Sequence, residues 1–136
     1  MQQFAYSVLS YQVIDGDSVR VWLDLGFGMT HSCIGRMEGV DTPEKNTEAG
    51  KMVKMVVLEW VARREKDLVF WSTDKPKFAR RAIGQLYSAL QPSETLSVFL
   101  INAGIASRYS GAKRPDWGDA ELGIIHEKCR QLLATN

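Results

Sequence analysis

The first third of the chain alternates between apolar and polar side chains with the two-residue period of β-strands. Residues 4–14 and 17–25 are rich in Val, Ile, Leu, Tyr and Trp, and the turn pair Asp15-Gly16 separates them. A Gly-Phe-Gly turn at 26–28 leads to a third strand over about Met29–Met37. The apolar face of the second strand consists of Val19, Val21, Leu23 and Leu25. This pattern predicts an antiparallel meander of three strands.

The pattern then changes to a helical period. Between Ala49 and Arg64, apolar residues recur three and four positions apart, which predicts an amphipathic helix. The apolar stripe consists of Met52, Val53, Val56, Val57, Trp60 and Val61.

The second half of the chain predicts two more strands and two more helices. The strands are expected over Asp67–Ser72 and Ala82–Tyr87. A short helix is expected to begin with Ser93 as its N-cap and to end at Gly104, and a final helix to span Asp119–Leu133. Five strands with one helix between the third and the fourth are typical of an OB-type barrel. We therefore expect a single domain over residues 1–136, of the α+β class but mainly β, built as a five-stranded OB-fold barrel with three helices.

Composition narrows the class of protein. The chain has 136 residues, of which 45% are hydrophobic and 24% charged, as in a soluble globular domain. No run approaches the ~20 apolar residues of a membrane span, so no membrane association is expected. The N-terminus lacks the pattern of a signal peptide, which favours an intracellular protein; the alternative is the mature form of a secreted one. Cys33 and Cys129 match no metal or redox spacing, and free thiols are expected.

Charge is unevenly distributed although the formal net charge is only +1. Residues 1–50 carry three basic and seven acidic side chains, whereas residues 75–114 carry seven basic side chains and one acidic. This asymmetry suits a protein that binds a cation and a polyanion together. The alternative is that both segments form ordinary solvated faces.

Carboxylates cluster in two short segments of the acidic half. Asp17 is expected at the start of the second strand, where Asp is disfavoured, while Asp15 serves the turn. Asp41 and Glu44 are expected on a loop after the third strand, because Pro43 ends that strand. Taken singly, each Asp is more often a turn or capping residue. Together they could hold a hard divalent cation and leave positions open for water and phosphate oxygen.

These two segments together resemble the staphylococcal nuclease (thermonuclease) family. The resemblance rests on Val-Ile-Asp-Gly-Asp-Ser-Val-Arg at 13–20, and on Arg36 placed five residues before Asp-Thr-Pro-Glu at 41–44. Further segments that are similar, in the same order, are 81–87 (Arg-Ala-Ile-Gly-Gln-Leu-Tyr), 102–109 (Asn-Ala-Gly-Ile-Ala-Ser-Arg-Tyr) and 113–117 (Lys-Arg-Pro-Asp-Trp). The resemblance covers nearly the whole chain.

The resemblance implies an OB-fold nuclease that uses Ca²⁺ to hydrolyse DNA and RNA and leaves 3′-phosphates. Carried over by motif position, Asp17 and Asp41 would bind Ca²⁺ through their carboxylates and Thr42 through its backbone carbonyl. Glu44 would orient or deprotonate the attacking water.

The same resemblance implies a basic half that holds the nucleic acid. Arg36 and Arg81 would clamp the scissile phosphate; the phase of the strand after it selects Arg81 over the adjacent Arg80. The residues expected to contact the nucleic acid are Lys75, Lys77, Arg80 and Tyr109. For Tyr109, packing on the barrel rim is an equal alternative to stacking on a base or sugar.

Two other classes of function remain open. One is a catalytically silent module of the same fold that binds nucleic acid or protein; silent domains usually lose acidic or arginine positions, and here all are present. The other is a sequence-tolerant binder of single strands, which would expose aromatic side chains along its strands. The second strand shows aliphatic and polar alternation instead. A monomer is the default expectation.

Overall fold

A five-stranded barrel forms the body of the molecule in a computed structural model, which describes residues 4–72, 81–109 and 117–135. The strands within those residues are β1 (Ala5–Asp15), β2 (Ser18–Gly26), β3 (Met29–Met37), β4 (Val40–Asp41), β5 (Leu68–Ser72), β6 (Arg81–Ser88) and β7 (Ser107–Arg108). The helices are α1 (Glu48–Ala62), α2 (Leu96–Asn102) and α3 (Asp119–Ala134), with a 3-10 turn at Glu65–Asp67. The barrel closes in the order β1-β2-β3-β6-β5. The α+β class and an OB-like barrel with three helices are thereby confirmed.

One parallel strand pair closes the barrel. β3 and β6 run parallel, from Ile34 opposite Arg81 to Met37 opposite Gly84. All other neighbours in the barrel are antiparallel. A parallel pair needs a long crossover connection, and α1 and β5 lie within that connection here.

The apolar face of β2 fills the barrel as far as Leu23, but the prediction for Leu25 is wrong. Val19 and Val21 are fully buried and Leu23 nearly so, whereas Leu25 is 43% exposed. The pairing with β3 shifts register between Asp24 and Gly26, and such a bulge breaks the alternation of faces. Leu25 therefore leaves the core.

Helix α1 packs against β1 and α3, and the structure confirms its apolar stripe. Val53, Val57, Trp60 and Val61 are buried. The helix begins at Glu48 because the Thr47 side chain accepts a hydrogen bond from the Gly50 N–H at 2.9 Å. It starts one residue before the predicted helix and ends two residues earlier, at Ala62.

Helix α2 ends as predicted but begins differently. Its N-cap is Thr95, whose hydroxyl accepts from the Val98 N–H at 3.2 Å, so the assignment of Ser93 as the cap is wrong.

At the C-terminal end of α2, Gly104 has φ +74. Ile105 donates to the Leu100 carbonyl across this glycine, the bond pattern of a Schellman cap, which favours glycine at that position.

Helix α3 packs on α1 and carries one of the two cysteines. Ile125 and Cys129 are buried in the predicted stripe, and Leu122, Leu132 and Leu133 pack partly buried beside them. Both Cys33 and Cys129 are buried free thiols, as expected. Among the helices in the described part of the chain, none has the length and apolar character that crossing a membrane requires.

A second, two-stranded sheet that the sequence pattern did not predict lies beside the barrel. In it β4 pairs antiparallel with β7, with Val40 opposite Arg108 and Asp41 opposite Ser107. The Tyr109 N–H extends the pairing by donating to the Gly39 carbonyl at 2.9 Å. Asp41 therefore lies in a short strand rather than on the expected loop, because the segment after α2 supplies it with a partner.

Candidate active site

The β1–β2 turn forms the first wall of the candidate site. Asp17 lies in this turn, one residue before β2 rather than in the strand as predicted. Its N–H donates to Asp15 Oδ1 at 3.2 Å, as expected for a turn aspartate. A side chain at Gly16 would have no room, since a Cβ there would lie 2.6 Å from Val53 and 2.7 Å from the Thr42 hydroxyl. The turn is thus pressed against α1 and the loop after β4.

The Asp17 carboxylate joins this turn to the segment after β4. It is buried, and its Oδ2 accepts from the Thr42 N–H at 3.1 Å and from the Thr42 hydroxyl at 3.2 Å. Its Oδ1 accepts from the Ser18 hydroxyl at 3.2 Å. These donors stabilise the charged form in a place where a lone carboxylate would be costly.

Arg36, at the end of β3, lies between two buried carboxylates. Its Nη2 donates to Asp41 Oδ1 at 3.4 Å, and its Nη1 lies 3.7 Å from Asp17 Oδ2. Nη1 also donates to the Met37 carbonyl at 2.9 Å. The register of β2 and β3, with Ser18 opposite Arg36, brings the arginine to the turn that carries Asp17.

Among the described side chains, Asp15 and Asp17 lie close together, and each shifts the pKa of the other. Burial, a hydrogen bond with Asp17 and the charge of Asp17 raise the pKa of Asp15 to about 6. Burial also works to raise the pKa of Asp17, but the hydrogen bond from Asp15 and the charge of Arg36 hold it below its ordinary value. When this pair takes up a proton as pH falls, Asp15 therefore takes it before Asp17 does. Sequence reasoning gave Asp15 only a turn role, although the Asp-Gly-Asp spacing signalled the contact.

Glu44 differs from the other carboxylates because its side chain is exposed while its backbone is fixed. Its carbonyl accepts from the Thr47 hydroxyl at 2.7 Å and from the Thr47 N–H at 3.0 Å. Gly50 of α1 packs directly on that carbonyl. Sequence reasoning also missed Gly50, for which a glycine three residues after a capping threonine was the signal.

The predicted basic residues are placed only in part. Arg81 is the first residue of β6, and its backbone pairs with Ile34 of β3. Ile34 precedes Arg36 by two residues in that strand. Its side chain lies outside the described atoms, and Lys75, Lys77 and Arg80 lie outside the described residues. Tyr109 is brought to the site, where the Arg36 guanidinium carbon lies 5.6 Å from the centre of its ring.

The described side chains would need further oxygen ligands to hold a hard cation. Within residues 4–72, 81–109 and 117–135, no group of three or more His, Cys, Asp or Glu side chains could hold a metal ion on its own. Asp17 and Asp41 are nevertheless buried carboxylates that compete for one arginine. Oxygen-rich sites of this kind suit Ca²⁺ or Mg²⁺ when backbone carbonyls, water or substrate complete the shell.

Comparison with known proteins adds no family assignment, since the chain matches no protein-family model and has no significant match among curated proteins. The resemblance to the thermonuclease family rests on the motifs alone.

Proposed function

We propose that this protein is a Ca²⁺-dependent nuclease that hydrolyses phosphodiester bonds of DNA, RNA or both and leaves 3′-phosphates. One observation carries the proposal. Asp17, Arg36 and Asp41, which come from a turn, a barrel strand and a separate short strand, meet within hydrogen-bond or ion-pair distance at one end of the barrel. The resemblance to the thermonuclease family implies that these three residues lie together in the folded protein. A barrel without a site would have no reason to bring them together.

Asp17, Asp41 and the Thr42 carbonyl would hold the ion. The ion would supply positive charge against the negative charge that builds on the phosphate oxygens. Burial keeps the two carboxylates in place, and the Thr42 N–H on Asp17 fixes the loop that contributes the carbonyl. The charge of Asp17 raises the pKa of the adjacent Asp15, and a bound cation would offset this excess of negative charge.

Arg36 and Glu44 would act on the substrate itself. A guanidinium has five N–H donors. Within the described residues, Arg36 donates two hydrogen bonds to protein oxygens, one to the Met37 carbonyl and one to Asp41. The remaining donors suit the bidentate binding of a phosphate. Glu44 is exposed on a rigid backbone, where it can take a proton from the water that attacks the phosphorus. Arg81 is proposed as the second clamp on the phosphate.

The basic segment would bind the rest of the strand. Lys75, Lys77 and Arg80 are proposed to contact backbone phosphates, an interaction that weakens as salt is raised. We propose a monomer as the active form.

The experiment is the digestion of a fluorescent single-stranded DNA with Ca²⁺, with Mg²⁺ and with a chelator. Glu44→Gln should lower turnover about 10²- to 10⁴-fold, the usual contribution of a general base. Glu48→Gln is the matched control, because Glu48 is an exposed carboxylate four residues further on whose ion pair with Lys51 lies at the surface. It should leave turnover within about two-fold of the unmodified protein.

Three outcomes separate the hypotheses. Ca²⁺-dependent cutting that is lost in Glu44→Gln alone supports the proposal. Binding of the DNA that resists the chelator, without cutting, would instead identify a silent binding module of the same fold. Cutting that survives the chelator would exclude a metal-dependent mechanism.

A further inference from the structure

The ring of Tyr109 lies against Arg36, which among the described side chains joins the carboxylates of Asp17 and Asp41. The Arg36 guanidinium carbon is 5.6 Å from the ring centre, and the Arg36 side chain is only 19% exposed. A cation at this distance from an aromatic face is attracted to it, more strongly as water is excluded. The guanidinium is thus held by polar contacts with Asp17, Asp41 and the Met37 carbonyl as well as by an aromatic face.

A backbone hydrogen bond fixes the position from which the Tyr109 side chain extends. Its N–H donates to the Gly39 carbonyl at 2.9 Å, next to the pairing of Asp41 with Ser107. Gly39 has φ +83, a conformation that favours glycine, in the turn between β3 and β4. The same strand pair therefore positions both Asp41 and the Tyr109 ring, and this hydrogen bond is made by the backbone and not by the Tyr109 side chain.

We propose that Tyr109 is a positioning residue that holds the Arg36 guanidinium at the site, rather than a platform on which a base stacks. An arginine side chain has several rotatable bonds and loses much entropy when it is ordered. The ring restricts the Arg36 side chain before substrate binds. The contact with the ring leaves N–H donors of the guanidinium available for a phosphate. The consequence for catalysis rests on the proposed nuclease function, whereas the contact itself does not.

The two roles of Tyr109 predict opposite kinetics on a single-stranded DNA substrate. If the ring positions Arg36, Tyr109→Leu should lower kcat about 5- to 30-fold, the range for a partly desolvated cation–π contact, with KM nearly unchanged. Tyr109→Phe keeps the ring and should restore kcat to within about two-fold. If the ring stacks on a base, Tyr109→Leu should raise KM and leave kcat unchanged. That result would overturn the proposal.

An NMR measurement decides the contact independently of activity. The Arg36 Nε–H signal, assigned by its loss in Arg36→Lys, should carry a ring-current shift that disappears in Tyr109→Leu and persists in Tyr109→Phe. Thermal unfolding of each variant shows that the fold is intact. A signal that Tyr109→Leu leaves in place would overturn the proposal. If the protein cuts nothing but the signal moves, the nuclease function fails and the positioning of Arg36 by Tyr109 stands.

Discussion

Gly50 shows how closely a single residue of α1 is fitted to the candidate site. A Cβ at this position would lie 1.9 Å from the Glu44 carbonyl oxygen and 2.9 Å from the Pro43 carbonyl oxygen. Both are backbone atoms, which cannot move aside as a flexible side chain can. The absence of a side chain at Gly50 therefore allows the helix to approach the loop that carries Glu44.

We expect Gly50→Ala to lower the free energy of unfolding by about 1–3 kcal/mol, the usual cost of overpacking. Turnover should fall as well, because the loop must shift Glu44 to admit the methyl group. The matched control is Gly123→Ala in α3, where a Cβ meets nothing within 4 Å. It should raise stability by about 0.5–1 kcal/mol through helix propensity. Urea unfolding measures both, and a Gly50→Ala protein as stable as Gly123→Ala would contradict the packing argument.

Among whole elements, α2 depends most visibly on its two ends, since it has only seven residues. Thr95 satisfies a free N–H at the start, and Gly104 allows the reversed backbone at the end. Helices this short gain little from propagation and need their caps and their buried face. Leu96 and Leu100 supply that face, both fully buried.

Thr95→Ala should therefore cost about 1 kcal/mol of stability, as the loss of an N-cap usually does. Ser93→Ala serves as the control, because Ser93 is exposed and lies outside the helix cap. It should change stability by less than about 0.5 kcal/mol. The measurement is chemical unfolding of the two variants side by side; equal losses would show that Ser93 shares the capping.

Cys129 on α3 couples stability to alkaline pH. It is fully buried, and burial raises the pKa of its thiol from 9.0 to about 11. The folded thiol stays protonated where the unfolded one ionises, so its contribution is fully present below pH 9 and is lost as pH rises towards 11. In urea unfolding between pH 8 and 11, the stability difference between the natural protein and Cys129→Ala should shrink as pH rises. A constant difference would contradict this coupling.

Helices and strands with a regular alternation of apolar and polar residues were predictable from the sequence. Features that depend on pairing between strands were not. The stripe of α1 and the strands β2 and β3 follow from local alternation, which the sequence displays directly. Leu25 was misplaced because alternation cannot reveal the register shift beside it. Ser93 and Thr95 are both capping residue types two positions apart, and only the Val98 N–H distinguishes them.

The candidate site was predictable where it depends on neighbouring strands. Asp17 and Arg36 meet because one hairpin register connects them, and short turns made that register readable. The strand pair that holds Asp41 was not predictable, since its partner Ser107 is far away in sequence and two-residue strands have no period. The position of Tyr109 over Arg36 depends on the same strand pair, so it was not predictable either.

At the scale of the whole molecule, the barrel gathers charge that the chain spreads over distant segments. The turn before β2 and the strand β4 place Asp17 and Asp41 at the Arg36 guanidinium, which the end of β3 supplies. Asp15 lies close enough for the charge of Arg36 to act on its pKa. Only the folded protein has this arrangement, so a cation that binds there stabilises the folded state by mass action. Stability can therefore report on the site without any assay of cleavage.

Ca²⁺ at 100 times its dissociation constant should add about 2.7 kcal/mol to the free energy of unfolding. Asp41→Asn should lose most of this increment, because one of the two buried carboxylates is then uncharged. Asp24→Asn is the control: Asp24 lies towards the far end of β2, and an Asn can still accept from the Gly26 N–H. Calorimetry of the three proteins with and without Ca²⁺ measures the increments. An undiminished increment in Asp41→Asn would remove Asp41 from the cation shell.

The pairing of β4 with β7 also determines when the site can first exist during protein synthesis. Asp17, Arg36 and Asp41 leave the ribosome well before Ser107 and Tyr109, which fix Asp41 and reach Arg36. At ribosomal rates of about 5–20 residues per second, the roughly ninety residues from Asp17 to Tyr109 take on the order of ten seconds to translate. Throughout that interval the growing chain carries an unfinished site. For a protein proposed to cleave RNA, this order would delay the completion of the site until most of the chain has been made.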